Sequence, residues 1–501
     1  MKIKIRMKAQ VKKNTLKGQI EPFILEQLRN EEYSVYDVDP ASMLTWNRLD
    51  LGFKKIYLEL RDKNSELARK IYWDDIRSHS LGAFTERGND EKTGFRAFCE
   101  VFQKISQEFQ NGDFDPTRSI LPLAHDGSIL NGAHRTAASL HYSKELQAVI
   151  TELEPLICDY NYFFDRAIPS EQLEQAALKH LEYGSNYYIA FLWPSGKSNW
   201  DKARALFDNI LYQKKILISV KGALNLLDEC YGHMDWIGGE SNNYRGLYQK
   251  LTECFPGEFC FWMIIFQSKS GIDHVRGIKE DVRMINGIGY SSIHITDTQE
   301  EAFRIGSYLL NENGLHFINN SMPLNKKLQT KVDEIKKELI EKGLALDDVV
   351  IDGSFVLELY GVRESQDVDY FFSDLTDNRM TSGFGCREEQ LVYHTVRKND
   401  LIYNPKYYFT VGGVKFVSLK EVSEMKKRRG EEKDLIDVKL IAAIHDVRKI
   451  HKLILLAKQK MIYTRIKTHR VVWSGLVWGL KGIGLYVPVR YLYRRLRGLP
   501  I

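Results

Sequence analysis

The chain has 501 residues, of which 44% are hydrophobic, 27% charged and 12% aromatic. This is a globular composition with room for roughly three domains, and it excludes a disordered chain, a collagen-like repeat and a multi-span membrane protein. Six cysteines with no CxxC pair argue against a disulfide scaffold or a zinc ribbon. The Cys254–Cys260 spacing fits neither, so reduced thiols in a cytosol are expected.

The net charge of +5 hides an uneven distribution. Residues 1–20 hold seven Lys/Arg and residues 447–501 hold thirteen, neither stretch has an acid, and −15 is left on 21–446. An acidic body argues against a DNA-binding stripe, so no DNA partner is expected. The basic ends suit an anionic membrane surface. No apolar run of signal-peptide length follows the first lysines, so a cytoplasmic protein is expected.

Residues 33–73 mix short apolar runs with charge and show no clear period. Over 91–110, Phe95, Phe98, Phe102, Ile105 and Phe109 recur at helical spacing, and Asn111-Gly112 ends the pattern. The stretch SILPLAHDGSILNGAHRTAASLHY (119–142) reads as strand, tight turn at Asp126-Gly127, short strand, and a helix opening near Gly132. Unpaired N–H groups at such a helix start favour phosphate, and Arg135 adds a cation. The element resembles the ParB/sulfiredoxin-like fold, whose Asp-Gly…Gly-x-His-Arg run cradles nucleotide phosphates and some of whose members are kinases. Asp126, Gly127, Gly132, His134 and Arg135 match. Asn131 stands where kinase-like members often carry Asp, and Glu86 in AFTERGND is the counterpart of their upstream Glu. The resemblance implies nucleotide binding by Gly132, His134 and Arg135 in a domain over 1–150.

A helix is predicted over 171–183 within a helical connector, 151–205. An α/β middle domain, 206–322, follows, with strands near 215–220 and 260–266 and a capping box at Thr298-Gln-Glu-Glu301. It carries no recognisable catalytic motif. The polar joint NNSMPLN (319–325) precedes a helix over 324–342 with Leu328, Val332, Ile335 and Leu339 on one face.

In VVIDGSFVLELYGVRESQDVDYFFSD (349–374), Gly353-Ser354 follows an apolar strand and opens an apolar helix. Asp367 and Asp369 are two apart on the next strand, so both carboxylates project from one face. Asp is depleted in strands, and a pair on one face suits Mg²⁺, which takes one or two carboxylates plus substrate phosphates. The pattern resembles the nucleotidyltransferase superfamily, especially its minimal and abortive-infection types: Gly-Gly/Ser, a helix, then Asp-x-Asp. Downstream, GVKFVSLKEVSEMKKRRGEEKDLIDVKLI is similar to the family's strand, Lys/Arg helix and Lys-Asp-x-x-Asp helix, with matches at Lys426, Arg429, Lys433, Asp434 and Asp437. Many members carry a third carboxylate on a later strand, and the matching YYFTVGGVKFVS has none. The resemblance, over about 350–445 within a domain at 323–446, implies Asp367 and Asp369 as catalytic and Mg²⁺-binding residues. Gly353, Ser354, Arg363 and Lys433 would bind a nucleoside triphosphate.

A basic tail, 447–501, completes the chain. The stretch 471–487 has four glycines and Lys481 near its centre, too broken for a span of about 20 apolar residues. Pro488 opens a terminal helix with Val489, Leu492 and Leu496 on one face and Arg490, Arg494 and Arg497 on another. Trp473 and Trp478 lie upstream, so peripheral attachment through 470–501 is expected.

The sequence thus predicts an α+β multidomain protein: a ParB/sulfiredoxin-like domain, an α/β middle domain, and a nucleotidyltransferase-fold domain with a helical extension. The layout resembles proteins of bacterial surface-polysaccharide biosynthesis, which implies transfer of a nucleotidyl group to a small, sugar-like acceptor. A toxin-like transferase acting on RNA or protein, and a non-catalytic nucleotide-sensing scaffold at the membrane, are the alternatives.

Overall fold

A computed structural model describes residues 5–86, 88–322, 325–341, 343–373, 384–445 and 449–490. Helices and several small sheets alternate through three units.

The first unit contains β1 (Ile5–Lys12), β2 (Glu32–Val38), a hairpin of β3 (Thr85–Glu86) and β4 (Asn89–Thr93), β5 (Leu121–Leu123) and β6 (Leu146–Ile150). Its sheet runs β1-β2-β6-β5, with only β5 and β6 parallel. The Phe-rich period becomes the helix Phe95–Asn111, which buries Phe98, Phe102 and Phe109 and stops at Gly112 in left-handed conformation. The turn at Asp126-Gly127 forms as the sequence predicts, with Gly127 at φ 86° and Ala124 and Ser128 bonded across it.

Residues 33–73 hold β2 and the helices Asp50–Leu60 and Ser65–His79. The first of these helices is buried almost all round, from Asp50 to Leu58, which removes the amphipathic period a sequence reading needs. Its Lys54 bonds Asp50 and Asp75 inside the unit. Gly52 lets it approach the helix Ser170–Tyr183, since a Cβ there would lie 2.6 Å from the Ala176 carbonyl.

The second unit is an antiparallel sheet of β7 (Tyr187–Leu192), β8 (Ile210–Leu217), β9 (Cys260–Gln267) and β10 (Ile293–Ile295), ordered β10-β7-β9-β8. The expected helical connector over 151–205 is corrected here, because β7 lies inside it and pairs with both β9 and β10. All six residues of β7 are buried, so the strand shows no alternation and reads as a bare apolar run. Thr298 caps the helix Gln299–Leu309 through the Glu301 N–H, but the Glu301 carboxylate bonds the N–H of Asp297 and His294 instead of closing the box.

The third unit holds β11 (Val349–Asp352), β12 (Val368–Phe372), β13 (Phe384–Cys386), β14 (Tyr408–Val411) and β15 (Val414–Val417), ordered β13-β12-β11-β15-β14. The helix Lys326–Glu341 precedes it and buries Leu328, Val332, Ile335 and Leu339 as its spacing predicts. One apolar core runs from the second unit into the third. The first unit joins the third through Lys63–Asp348 at 2.6 Å and Asn64–Asp400 at 2.9 Å.

A single helix, Lys449–Gly482, makes up most of the tail, and residues 486–490 are again helical. That last segment starts two residues before Pro488. Leu492, Arg494, Leu496 and Arg497 lie outside the described residues. No helix among the described residues is long and apolar enough to cross a membrane.

Candidate functional site

The strand β11 is buried at every position, and it ends at Gly353 with φ 71°. This left-handed turn starts the helix Ser354–Leu359 and brings the chain back along β12, antiparallel to β11. A side chain at 353 would press on Asp369, because a Cβ there would lie 2.9 Å from its Oδ2. Glycine is thus required both by the backbone and by the neighbouring carboxylate. The Ser354 hydroxyl donates to Asp367 Oδ1 at 3.3 Å. The structure therefore gathers Gly353, Ser354, Asp367 and Asp369.

The two carboxylates differ in environment: Asp367 is 52% exposed and Asp369 only 12%. Arg387, just after β13, sits between them, with its Nε 3.0 Å from Asp369 Oδ1 and a second nitrogen 3.9 Å from Asp367 Oδ2. Burial, then the charges of Asp367 and Asp352, push the Asp369 carboxyl above its ordinary range against the pull of Arg387.

Asp352 faces Asp369 directly across the β11–β12 ladder, which puts both side chains on one sheet face. It supplies a third carboxylate close to the pair, from a position beside the glycine and not from a later strand. Its Oδ2 lies 3.2 Å from His394 Nε2, and the other ring nitrogen of His394 lies 3.2 Å from Glu421. Burial opposes the imidazolium, but Asp352 and Glu421 outweigh it and raise the His394 pKa to about 9. The other oxygen of Asp352, Oδ1, is buried without a hydrogen-bond partner.

These are oxygen donors of the kind a divalent, oxygen-seeking cation takes. Carboxylates gather at the β11–β12 end, a buried oxygen of Asp352 has no hydrogen-bond partner, and the pair is held by one cation, Arg387.

Arg363 is placed differently from the expectation. Its guanidinium holds Asp437 with two bonds, 2.7 and 2.8 Å, and both side chains are buried. Lys426 joins the same cluster at 2.9 Å from Asp437 and 3.2 Å from Asp434, and Arg429 binds Asp434. The Lys/Arg helix and the Lys-Asp-x-x-Asp helix thus meet through a buried ion network. Lys433 pairs with Glu431 at 2.9 Å.

In the first unit, Gly132 has φ 95° and opens the helix Ala133–Tyr142. His134 is buried, 2.8 Å from the Tyr72 hydroxyl and 3.4 Å from Lys92. Burial and then Lys92 hold its pKa well below the ordinary value, so the ring is neutral. Arg135 bonds Glu21 at 2.9 Å and also Ser119. Glu86 pairs with Lys92 across the β3–β4 hairpin, which brings Glu86, Lys92 and His134 together.

Arg387, His394, Glu421 and Lys92 were not readable as site residues. Each is isolated in sequence and reaches its partners only through the fold. The one available signal was Ser418-Leu-Lys-Glu421, which reads as a capping box; Ser418 does cap the helix Leu419–Arg429, but the Glu421 carboxylate bonds Thr395 and His394. No family model matches the chain, and searches of curated proteins and of solved structures found no match.

Proposed function

We propose that the third unit is an Mg²⁺-dependent nucleotidyltransferase that acts on a small hydroxylated or phosphorylated, sugar-like acceptor. This is in keeping with a place in bacterial surface-polysaccharide synthesis inside the cell. The observation that carries the reading is the pair Asp367 and Asp369 gathered against Gly353 and Ser354. In the reaction an acceptor oxygen attacks the α-phosphorus of a nucleoside triphosphate, and pyrophosphate leaves. Asp367 and Asp369 would hold Mg²⁺, which when bound neutralises phosphate charge and aligns the two oxygens. Gly353 keeps the approach to Asp369 open, and Ser354 offers a hydroxyl to a phosphate oxygen. Arg387 either turns from the carboxylates to the phosphates or keeps the site closed. Asp352, His394 and Glu421 position the β11 end.

The first unit is proposed to bind a nucleotide at the start of the helix Ala133–Tyr142. Lys92 and Arg135 supply the cations there, and Glu86 stands beside Lys92 as a candidate proton acceptor if the unit is a kinase. The tail is proposed to rest on an anionic membrane surface, where Trp473, Trp478 and the neighbouring valines are exposed beside basic residues. Co-sedimentation with anionic but not neutral liposomes, lost at high salt, checks this.

Pyrophosphate release from the four triphosphates with Mg²⁺ tests the main reading. Release by the wild-type chain that persists in Asp367→Asn/Asp369→Asn would refute it. A second reading, a nucleotide-sensing scaffold, is favoured by Arg387 lying across the acidic pair. Triphosphate binding without release would select it.

A further inference from the structure

The second unit contains a cleft of about 530 Å³ at the β10 edge of its sheet. We infer that it binds a phosphorylated small molecule with a planar ring, of the nucleoside monophosphate class. The inference is independent of the chemistry proposed for Asp367 and Asp369. The cleft has the size of an ordinary small-molecule site. Its walls come from the helices Val220–Tyr231, Arg245–Cys254 and Ile272–Asn286, the turn Asp235–Ile237 and β10.

Charge is the first argument. Lys250, Lys279 and Arg283 line the cleft against Glu253 and Asp297, a cationic excess inside a body that is acidic overall. Lys279 is spent on Asp297 at 2.7 Å. The other two cations have no carboxylate within ion-pair distance among the described residues. Lys250 donates to the Tyr290 carbonyl at 2.9 Å and to Ser291 at 3.4 Å, which leaves one of its three N–H groups. The Arg283 Nε is shielded from solvent and meets no acceptor. Donors of this kind are rare in folded proteins, and an anion entering the cleft satisfies them.

The rings are the second argument. Tyr231 and Trp236 lie 5.6 Å apart at one wall, and Tyr290 carries Arg283 over its face at 4.4 Å. Trp236 is 50% exposed and Tyr290 73%. Large exposed rings gathered at a concave surface mark a contact with a flat partner. Rings beside cations that have no carboxylate partner select a ligand that joins a planar group to a phosphate.

Calorimetry of the full-length chain in EDTA, titrated with AMP, adenosine and ribose 5-phosphate, tests this. Saturable AMP binding is expected, with adenosine and ribose 5-phosphate each at least about tenfold weaker. Arg283→Met and Trp236→Ala should each weaken AMP by at least about tenfold. Trp236 is half exposed, so its variant decides the matter if Arg283→Met fails to fold. No saturable AMP binding up to millimolar concentration overturns the inference. So does an AMP affinity unmoved by both variants, or one equal to that of adenosine. Binding lost in Asp369→Asn but kept in Arg283→Met would place the ligand in the third unit and also overturn it.

Discussion

The first and third units carry phosphate-type motifs of similar sequence clarity, yet the fold uses them in different ways. At the helix start in the first unit, His134 and Arg135 turn inward, one to Tyr72 and Lys92, the other to Glu21 and Ser119. At the β11–β12 turn of the third unit, Asp367 stays half exposed and the acidic pair shares a single arginine. A motif therefore fixes which groups meet, while the partners supplied by distant elements decide whether those groups remain available to a ligand.

The largest expected effect lies at the acidic pair. Asp367→Asn or Asp369→Asn should cut Mg²⁺-dependent pyrophosphate release by about a thousandfold or more, about 4 kcal/mol of transition-state stabilisation. The melting temperature should hardly move, because Asp367 is half exposed and burial disfavours the ionised form of Asp369. A variant that melts early while transferring normally would reverse the contrast with the first unit.

Arg363 sharpens the comparison from the stability side. Its bidentate pair with Asp437 is buried and shared with Lys426. Removing Arg363 leaves the buried Asp437 to Lys426, which already serves Asp434, so the charge is only partly compensated at a cost of about 3 kcal/mol. Arg363→Ala should therefore lower the unfolding free energy by about that amount, and Arg363→Ala/Asp437→Ala should cost less than the sum of the singles. Denaturant titration with hydrogen exchange on β11 would show it. A stable Arg363→Ala chain with weakened triphosphate binding would return Arg363 to the nucleotide.

The helical spacing of Phe95, Phe98, Phe102 and Phe109 was legible because one face of that helix is buried and the other is not. The turn at Asp126-Gly127 and the Gly353 junction were legible because each needs a left-handed glycine or a local hydrogen bond. The helix Asp50–Leu60 and the strand β7 were not, since burial on all sides erases the period in both. At the site, the expectation of both aspartates on one strand holds for Asp369 only: Asp367 lies one residue before β12 and joins the pair through Ser354 and Arg387. The Arg363–Asp437 pair and the Asp352–His394–Glu421 chain join residues 74, 42 and 27 apart, and no local pattern encodes such separations.

Two histidines, His394 in the third unit and His134 in the first, should give pH responses of opposite sign. His394 has its pKa raised to about 9 in the fold, against an ordinary value of 6.5. Its imidazolium stabilises the third unit fully below pH 6.5, and that contribution, on the order of 3 kcal/mol, is lost as pH rises through 9. His134 is held well below 6.5, so its effect runs the other way: stability of the first unit is present above pH 6.5 and falls as pH drops below it. His394→Gln should flatten the alkaline loss, and His134→Gln the acidic one. Hydrogen exchange of the wild type and each variant between pH 5 and 9 reads both, and profiles left unchanged by the two substitutions would remove the distinction, the alkaline loss from His79 in the first unit being common to all three chains.

Arg387 offers the smallest and most discriminating change. It is partly exposed, and ion pairs of that kind contribute about 0–1 kcal/mol, so Arg387→Ala should leave the fold intact. It also draws the Asp369 carboxyl down against burial and two neighbouring charges. Without it the pair has no cation among its described partners, so a divalent ion should bind severalfold more tightly, and its binding should weaken at a higher pH on acidification. Calorimetry with Mg²⁺ across pH 5–8 measures both. Pyrophosphate release then separates the two readings of this arginine. If it serves the phosphates, Arg387→Ala lowers release while Mg²⁺ affinity rises. If it closes the site, release rises with affinity, and the third unit becomes as internally satisfied in its resting state as the helix start of the first.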